Sequence, residues 1–277
     1  MSVEELGRAV LFGVVQGITE YLPISSTAHI RLVSAFLGWK DPGAAFTAVI
    51  QLGTLAAVLV YFWSDLRQLC RRAATQVLVE KRSGPDARMV GAVLAGTIPI
   101  GVFGLVFKDA IETTLRGVPV IAMALIIVGG LLGLAEILGK RNRVFMQLGF
   151  WEIQFVGLAQ ASALIPGVSR SGITLAAALF LGLKRNHAAR FSFLLGIPAI
   201  TAAGLYEFYA DFHGAGLGGG EWATLGLATL VSFLSGYLAI SFLLYFLRRH
   251  STFTFVAYRV VLGFLLFGLL HSGMISK

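Results

Sequence analysis

The sequence predicts an all-α polytopic membrane protein built as an inverted repeat, and three observations lead there. Hydrophobic residues make up 57% of the 277-residue chain and charged residues only 13%, a balance that excludes an ordinary soluble enzyme. Six stretches, roughly 43–63, 89–107, 117–138, 188–209, 222–247 and 251–274, are apolar and nearly uncharged over about the 20 residues a bilayer crossing needs. The chain also repeats itself: Gly13-Val-Val-Gln16 matches Gly157-Leu-Ala-Gln160, Pro23 matches Pro166, and Leu52-Gly53 matches Leu195-Gly196, all at nearly the same spacing. The 33 glycines fit this class, because small residues let membrane helices approach closely.

Segment 6–39 is apolar as well, but as one helix it would be about 50 Å long, against a hydrocarbon core of about 30 Å. Pro23-Ile-Ser-Ser-Thr27 interrupts it near the middle, so a re-entrant pair of half-helices is expected. Three crossings follow. Segment 149–183 repeats the pattern, broken at Pro166-Gly-Val-Ser-Arg-Ser-Gly172, and three more crossings complete the chain. Three is odd, so the second half enters from the opposite side of the membrane. The expected organisation is one integral membrane domain over 1–277, with repeat one at about 6–138 and repeat two at about 149–274.

The net charge of +8 would suggest nucleic acid in a soluble protein, but here the cations sit in short loops between apolar runs, which excludes that reading. Placing loop 64–88 in the cytoplasm collects most lysines and arginines on that side, together with those of loops 140–143, 184–190 and 248–249. Arg8, Lys40, Lys108, Arg116 and Lys277 stay outside, while Arg31, Arg170 and Arg259 fall within apolar segments. Both termini are thus expected outside, in a multi-pass membrane protein. The lone Cys70 sits in a basic stretch and forms no disulfide framework. Glu4 and Glu5 replace a basic n-region, so the first apolar segment is expected to be retained.

The two breaks carry the chemistry. Gln16 and Glu20, four apart, share a helix face, and an ionisable group inside a membrane is a functional-site hypothesis by default. Ser25, Ser26 and Thr27 follow a proline and can cap the next half-helix, whose N-terminus attracts anions; beside Glu20 and His29 they hold the parts of an activated nucleophile. In the second break Gly167 and Gly172 allow close backbone approach, Ser169, Ser171 and Thr174 add hydroxyls, and Arg170 adds a planar fork suited to phosphate. Arg170 needs a partner in the membrane, either Glu20 or a bound phosphate. The constellation suits a phosphorylated ligand with a long apolar tail.

Gln16-Gly-Ile-Thr-Glu20 followed by Tyr-Leu-Pro-Ile-Ser-Ser-Thr-Ala-His29, together with Pro166-Gly-Val-Ser-Arg-Ser-Gly-Ile-Thr174, resembles the two signature regions of the undecaprenyl-diphosphate phosphatase family, whose members confer bacitracin resistance. The resemblance extends over the chain, through Phe46–Trp63, Phe191-Ser-Phe-Leu-Leu195 and Tyr258-Arg259. It implies hydrolysis of undecaprenyl diphosphate to the monophosphate, recycling the cell-wall lipid carrier, at an outward-facing site assisted by a divalent cation, Mg2+ or Ca2+. It implies Ser26 as nucleophile, Glu20 as its base or as cation ligand, Arg170 as the phosphoryl clamp, and His29 as general acid or orienter. Gln16, Ser25, Thr27, Gly167, Ser169, Ser171 and Thr174 are expected to contact substrate. Many members carry glutamate where this chain has Gln16, which leaves Glu20 as the acid, and glycine where it has Ala28. The expected partners are undecaprenyl diphosphate, the bilayer and, in a homodimer, a second copy of the chain. The rival class is a transporter or flippase of a phosphorylated prenyl lipid, since broken helices in inverted repeats also build carriers.

Overall fold

The protein is described by a computed structural model covering residues 2–212 and 219–275; Lys277, assigned above to the outer side, lies outside the described residues. Among these residues the chain is helical throughout, with short 3-10 and π segments and no strand. Helix α1 (Val3–Tyr21) begins where the Ser2 hydroxyl accepts from the Glu5 amide and the Glu5 carboxylate accepts from the Ser2 amide, a reciprocal cap. It ends at Leu22, because Pro23 cannot donate the next helical bond. The turn delivers the chain into α2 (Ser26–Phe36), then α3 (Gly43–Tyr61), the polar α4 (Trp63–Ala74), α5 (Pro85–Val106), the short α6 (Lys108–Glu112) and α7 (Val118–Leu138). The second half runs α8 (Phe150–Ala161), α9 (Arg170–Phe180), α10 (Arg185–Glu207), α11 (Gly219–Arg249) and α12 (Phe253–His271).

Among the described residues six helices, α3, α5, α7, α10, α11 and α12, are long and apolar enough to cross a membrane, and they coincide with the six stretches read from the sequence. Segments 6–39 and 149–183 each become two helices meeting at an irregular turn. The second helix of each pair, α2 or α9, has 11 residues, about 16 Å and half a bilayer core. The first helices differ: α1 has 19 residues and α8 only 12, because α8 tightens into a 3-10 turn at Ser162–Leu164.

Helix α1 packs along α11, and α8 packs along α5, so the first helix of each broken pair leans on a span of the other half. Glycines permit both contacts. A Cβ at Gly17 would lie 2.6 Å from the Ser232 carbonyl, and one at Gly157 would overlap the Gly96 backbone. Lipid tails are as apolar as leucine, so close van der Waals packing of this kind holds such helices together. Between the two turns lies the core, with Tyr21, Phe191, Phe193 and Leu195 fully buried. The Tyr21 hydroxyl donates to the Thr54 carbonyl, and its ring meets Phe193 edge-on at 4.9 Å. At one end of the bundle the buried Glu136 accepts from Arg141 Nη1 at 2.6 Å, Arg185 Nε at 2.9 Å and Thr252 Oγ1 at 2.9 Å, tying α7, α10 and α12 together.

Candidate active site

The two interrupted segments bring their turns face to face. Ser25 caps α2 with φ of 78° and accepts from the Ala28 amide at 3.4 Å; Ser169 caps α9 with φ of 69° and accepts from the Gly172 amide at 3.1 Å. Left-handed backbone at a non-glycine residue costs about 1–3 kcal/mol, so matched strain at both turns shows that the surrounding packing holds them in this conformation. The strain aims the first free N–H groups of two helices at one cavity.

Glu20, at the end of α1, is the hub of that cavity. Its Oε2 accepts from Ser26 Oγ at 2.8 Å and from Gln16 Nε2 at 2.9 Å. Its Oε1 accepts from Gln51 Nε2 at 2.7 Å and from Arg170 Nη2 at 3.3 Å. Four donors occupy the carboxylate, as a buried charge requires. Arg170 also donates from Nη1 to the Ser192 carbonyl at 3.0 Å, while its buried Nε–H has no partner among the described residues. The guanidinium lies flat against Gly196, where any Cβ would overlap Nη1 and Cζ.

The cavity, about 170 Å³, is lined by Glu20, Ser25, Ser26, Thr27, Gly167, Ser169 and Arg170 among the residues singled out from the sequence. The other four stand behind it. Gln16 is fully buried and reaches the cavity only through Glu20. Ser171 Oγ donates to the Glu20 and Leu22 carbonyls at 3.0 and 3.1 Å, sewing α9 to the end of α1. Thr174 Oγ1 donates to the Arg170 carbonyl at 2.7 Å and meets Ser192 Oγ at 2.6 Å, bracing the arginine from below. His29 turns away from Ser26: Nδ1 lies 2.7 Å from the Ser25 carbonyl and Nε2 lies 2.6 Å from the Tyr258 hydroxyl. A carbonyl only accepts, so Nδ1 carries the proton and Nε2 accepts from Tyr258.

Two residues of the site were not read as site residues from the sequence, although Arg259 stood out as an arginine within an apolar segment. Gln51 lies on α3 with nothing in its local pattern to distinguish it. Arg259, fully buried on α12, donates to the Pro23 carbonyl at 3.1 Å, to Gly167 and Val168 at 3.0 Å, and to Ala124 and Leu125 at 3.3 Å. Its guanidinium therefore bolts both turns to α7 entirely through carbonyls. The signal was available, since an arginine in a spanning helix must find polar partners.

The chain is similar to known proteins over nearly its whole length. The profile of the bacitracin resistance protein BacA family matches residues 9–265. A protein named undecaprenyl-diphosphatase from Chlorobium phaeovibrioides is 49% identical, covering 97% of this chain and 98% of its own length. Another of that name, from Synechococcus elongatus, is 49% identical over 99% of this chain and 96% of its own. A third, from Trichormus variabilis, is 47% identical over 98% of this chain and 85% of its own. A match that spans both broken segments and all six apolar helices leaves one assignment: the chain belongs to the bacitracin resistance protein BacA family.

Proposed function

We infer that this chain is an undecaprenyl-diphosphatase, a membrane phosphatase that hydrolyses undecaprenyl diphosphate to the monophosphate and inorganic phosphate. The observation that carries the reading is the Ser26 hydroxyl donating to Glu20 Oε2 at 2.8 Å while Arg170 holds the other oxygen of the same carboxylate. A nucleophile, its base and a phosphate clamp thus meet at one point.

In the reaction the terminal phosphoryl group sits against the Arg170 guanidinium and the N-termini of α2 and α9. Ser26 Oγ attacks its phosphorus as the hydroxyl proton passes to Glu20. The bridging P–O bond breaks, and its electron pair leaves with the prenyl monophosphate. Water then attacks the phosphoserine, the P–Oγ bond breaks, Glu20 returns the proton to Ser26, and phosphate departs. His29, with both ring nitrogens engaged on the Ser25 carbonyl and Tyr258, orients the turn that carries Ser26.

The cavity also offers one hard ligand to a divalent cation, the Glu20 carboxylate. Gln16 Oε1 is a buried oxygen with no partner among the described residues, next to the Glu20 carboxylate. Gln16 stands behind the cavity wall, so the Glu20 carboxylate would hold Mg2+ or Ca2+ there, with phosphate oxygens and water completing the shell. Such an ion would neutralise charge on the phosphoryl oxygens. Phosphate release from purified protein supplied with a prenyl diphosphate tests the activity; binding and transbilayer movement without phosphate release would make the protein a lipid flippase instead.

The two broken segments are read as re-entrant hairpins of an inverted repeat, with the loops between α3 and α5 in the cytoplasm and the site opening to the periplasm of a plasma membrane. What supports this is the loop charge and the cross-packing of α1 on α11 and α8 on α5. A reporter fused after Arg72 is expected to score cytoplasmic and one inserted near Gly216, which lies outside the described residues, to score periplasmic. Both reporting the same side would sink this topology.

A further inference from the structure

The cavity at the turns does not end at its polar residues. Ile100, Leu164, Ala199 and Ala203 form its apolar wall, and the same four residues line a second, larger groove of about 350 Å³ between α5 and α10. Its lining is apolar nearly throughout. The Thr97 hydroxyl donates to the Val93 carbonyl at 2.9 Å, so that residue leaves no free donor to the groove. At the end away from the turns Lys108 lies 4.0 Å from Glu207 and 4.9 Å from the Tyr206 ring centre, a pair that closes the groove with charge. The long side remains open, because α5 is the least buried of the six spans and Gly101, Ala202 and Ala203 face outward. Such a slot takes an apolar chain and opens sideways to lipid.

Its floor is unusually bare. Gly101 and Gly104 lie three apart on α5, opposite Ala199, Ala202 and Ala203 on α10. A Cβ added at Gly101 would meet nothing within 4 Å, and one at Gly104 would touch only the Leu164 side chain at 3.5 Å. Helices in lipid close onto each other through such small residues. Here they leave an open channel that starts at the phosphate site.

We propose that the α5–α10 groove is the tail subsite of this enzyme, holding the isoprene units next to the diphosphate and passing the rest of the prenyl chain sideways into the bilayer. The proposal rests on the phosphatase reading and deepens it. Continuity points to the occupant, since a molecule whose phosphates lie on Ser26 and Arg170 meets, along a wall of the same cavity, the groove that shares it. Volume limits how much enters. A cavity of about 150 Å³ holds benzene, six carbons, so about 350 Å³ holds roughly 14 carbons, close to three isoprene units. Recognition should therefore saturate near a farnesyl chain.

The test is Gly104→Phe, which grows a ring from beside Leu164 across the junction of groove and cavity without touching Glu20, Ser26 or Arg170. Steady-state kinetics are measured with dimethylallyl diphosphate, one isoprene unit, and farnesyl diphosphate, three. We expect wild type to prefer farnesyl, and Gly104→Phe to lose at least roughly tenfold in kcat/KM for farnesyl while staying within about threefold for dimethylallyl. An unchanged farnesyl value, or an equal loss on both substrates, overturns the tail subsite while leaving the phosphatase reading intact. Wild type that releases phosphate from neither substrate overturns the phosphatase reading instead. A readout independent of turnover accompanies the kinetics: a farnesyl diphosphate with a photoreactive diazirine on its third unit should label residues of α5 or α10 in the groove. Labelling confined to other helices rejects the subsite even if the protein proves inactive. Gly101→Leu, whose Cβ meets nothing within 4 Å, repeats the kinetic test should the phenylalanine variant fail to fold.

Discussion

Ser26→Ala is expected to abolish turnover, lowering kcat by roughly 10⁴-fold or more while the protein still folds and still binds a prenyl diphosphate. The fold should tolerate the change because Ser26 only begins α2; the cap that starts the helix is Ser25. In the variant Glu20 Oε2 keeps the Gln16 amide at 2.9 Å, so the carboxylate does not lose all of its support. What disappears is the one hydroxyl seen donating to that carboxylate from the cavity wall. Ser25→Ala is the informative neighbour: it removes the acceptor of the Ala28 amide, worth about 1 kcal/mol at a helix N-cap, and leaves the nucleophile in place. Its expected signature is a lowered Tm with most of kcat retained. If Ser26→Ala instead keeps kcat and raises only KM, by the roughly 10- to 100-fold that one lost hydrogen bond of about 1 to 3 kcal/mol produces, water attacks the substrate directly and Ser26 merely holds it.

The spans were legible because the bilayer imposes a length. About 20 uncharged apolar residues leave a chain few options, and the six stretches read from the sequence reappear as α3, α5, α7, α10, α11 and α12. The breaks were legible for the same reason, since Pro23 and Pro166 stand near the middle of segments too long to cross straight. The unequal lengths of α1 and α8 were not, because the 3-10 turn at Ser162–Leu164 carries no proline or glycine to announce it. Nor did hydropathy reveal α4, whose charges read as a loop and which an Asp65–Arg190 ion pair of 2.8 Å fastens to α10.

At the site, contacts set by helical spacing or by neighbouring positions could be read directly. Gln16 and Glu20 are four apart on one helix and do bond, and Ser26 lies one turn of chain beyond them. Contacts made across the fold could only be guessed from charge. The Arg170–Glu20 pair was reachable that way, because each is costly alone in a membrane. Arg259 escaped that logic by pairing with no acid among the described residues, taking instead the carbonyls of Pro23, Gly167 and Val168 in the turns and of Ala124 and Leu125 on α7. Ser171 and Thr174 show the opposite limit: a hydroxyl beside a glycine-rich turn reads the same whether it faces ligand or, as here, neighbouring backbone. Composition does not encode which way a side chain points.

Arg170→Lys is expected to cost roughly 100-fold in kcat/KM although the charge is retained, equivalent to about 2.7 kcal/mol at 1.36 kcal/mol per decade. The guanidinium makes two bonds at once, to the Ser192 carbonyl at 3.0 Å and to Glu20 at 3.3 Å, and its buried Nε–H has no partner among the described residues. An ammonium has three donors, but on a flexible stem they cannot be spread across those directions in a plane. Either Glu20 or the phosphate then goes unserved, and the transition state, where phosphoryl charge is shared with the leaving group, suffers more than the bound substrate. The loss should therefore appear mainly in kcat. Gly196→Ala separates position from chemistry, because it keeps the arginine and removes the space its guanidinium occupies. Arg170 is pinned on both sides, so the added methyl group must push Nη1 off the Ser192 carbonyl, and a drop of roughly tenfold or more in kcat is expected, with a Tm lowered by the lost bond. Near-wild-type turnover in both variants would show that Arg170 is only the counter-ion of Glu20, and that the α2 and α9 N-termini bind the phosphate without it.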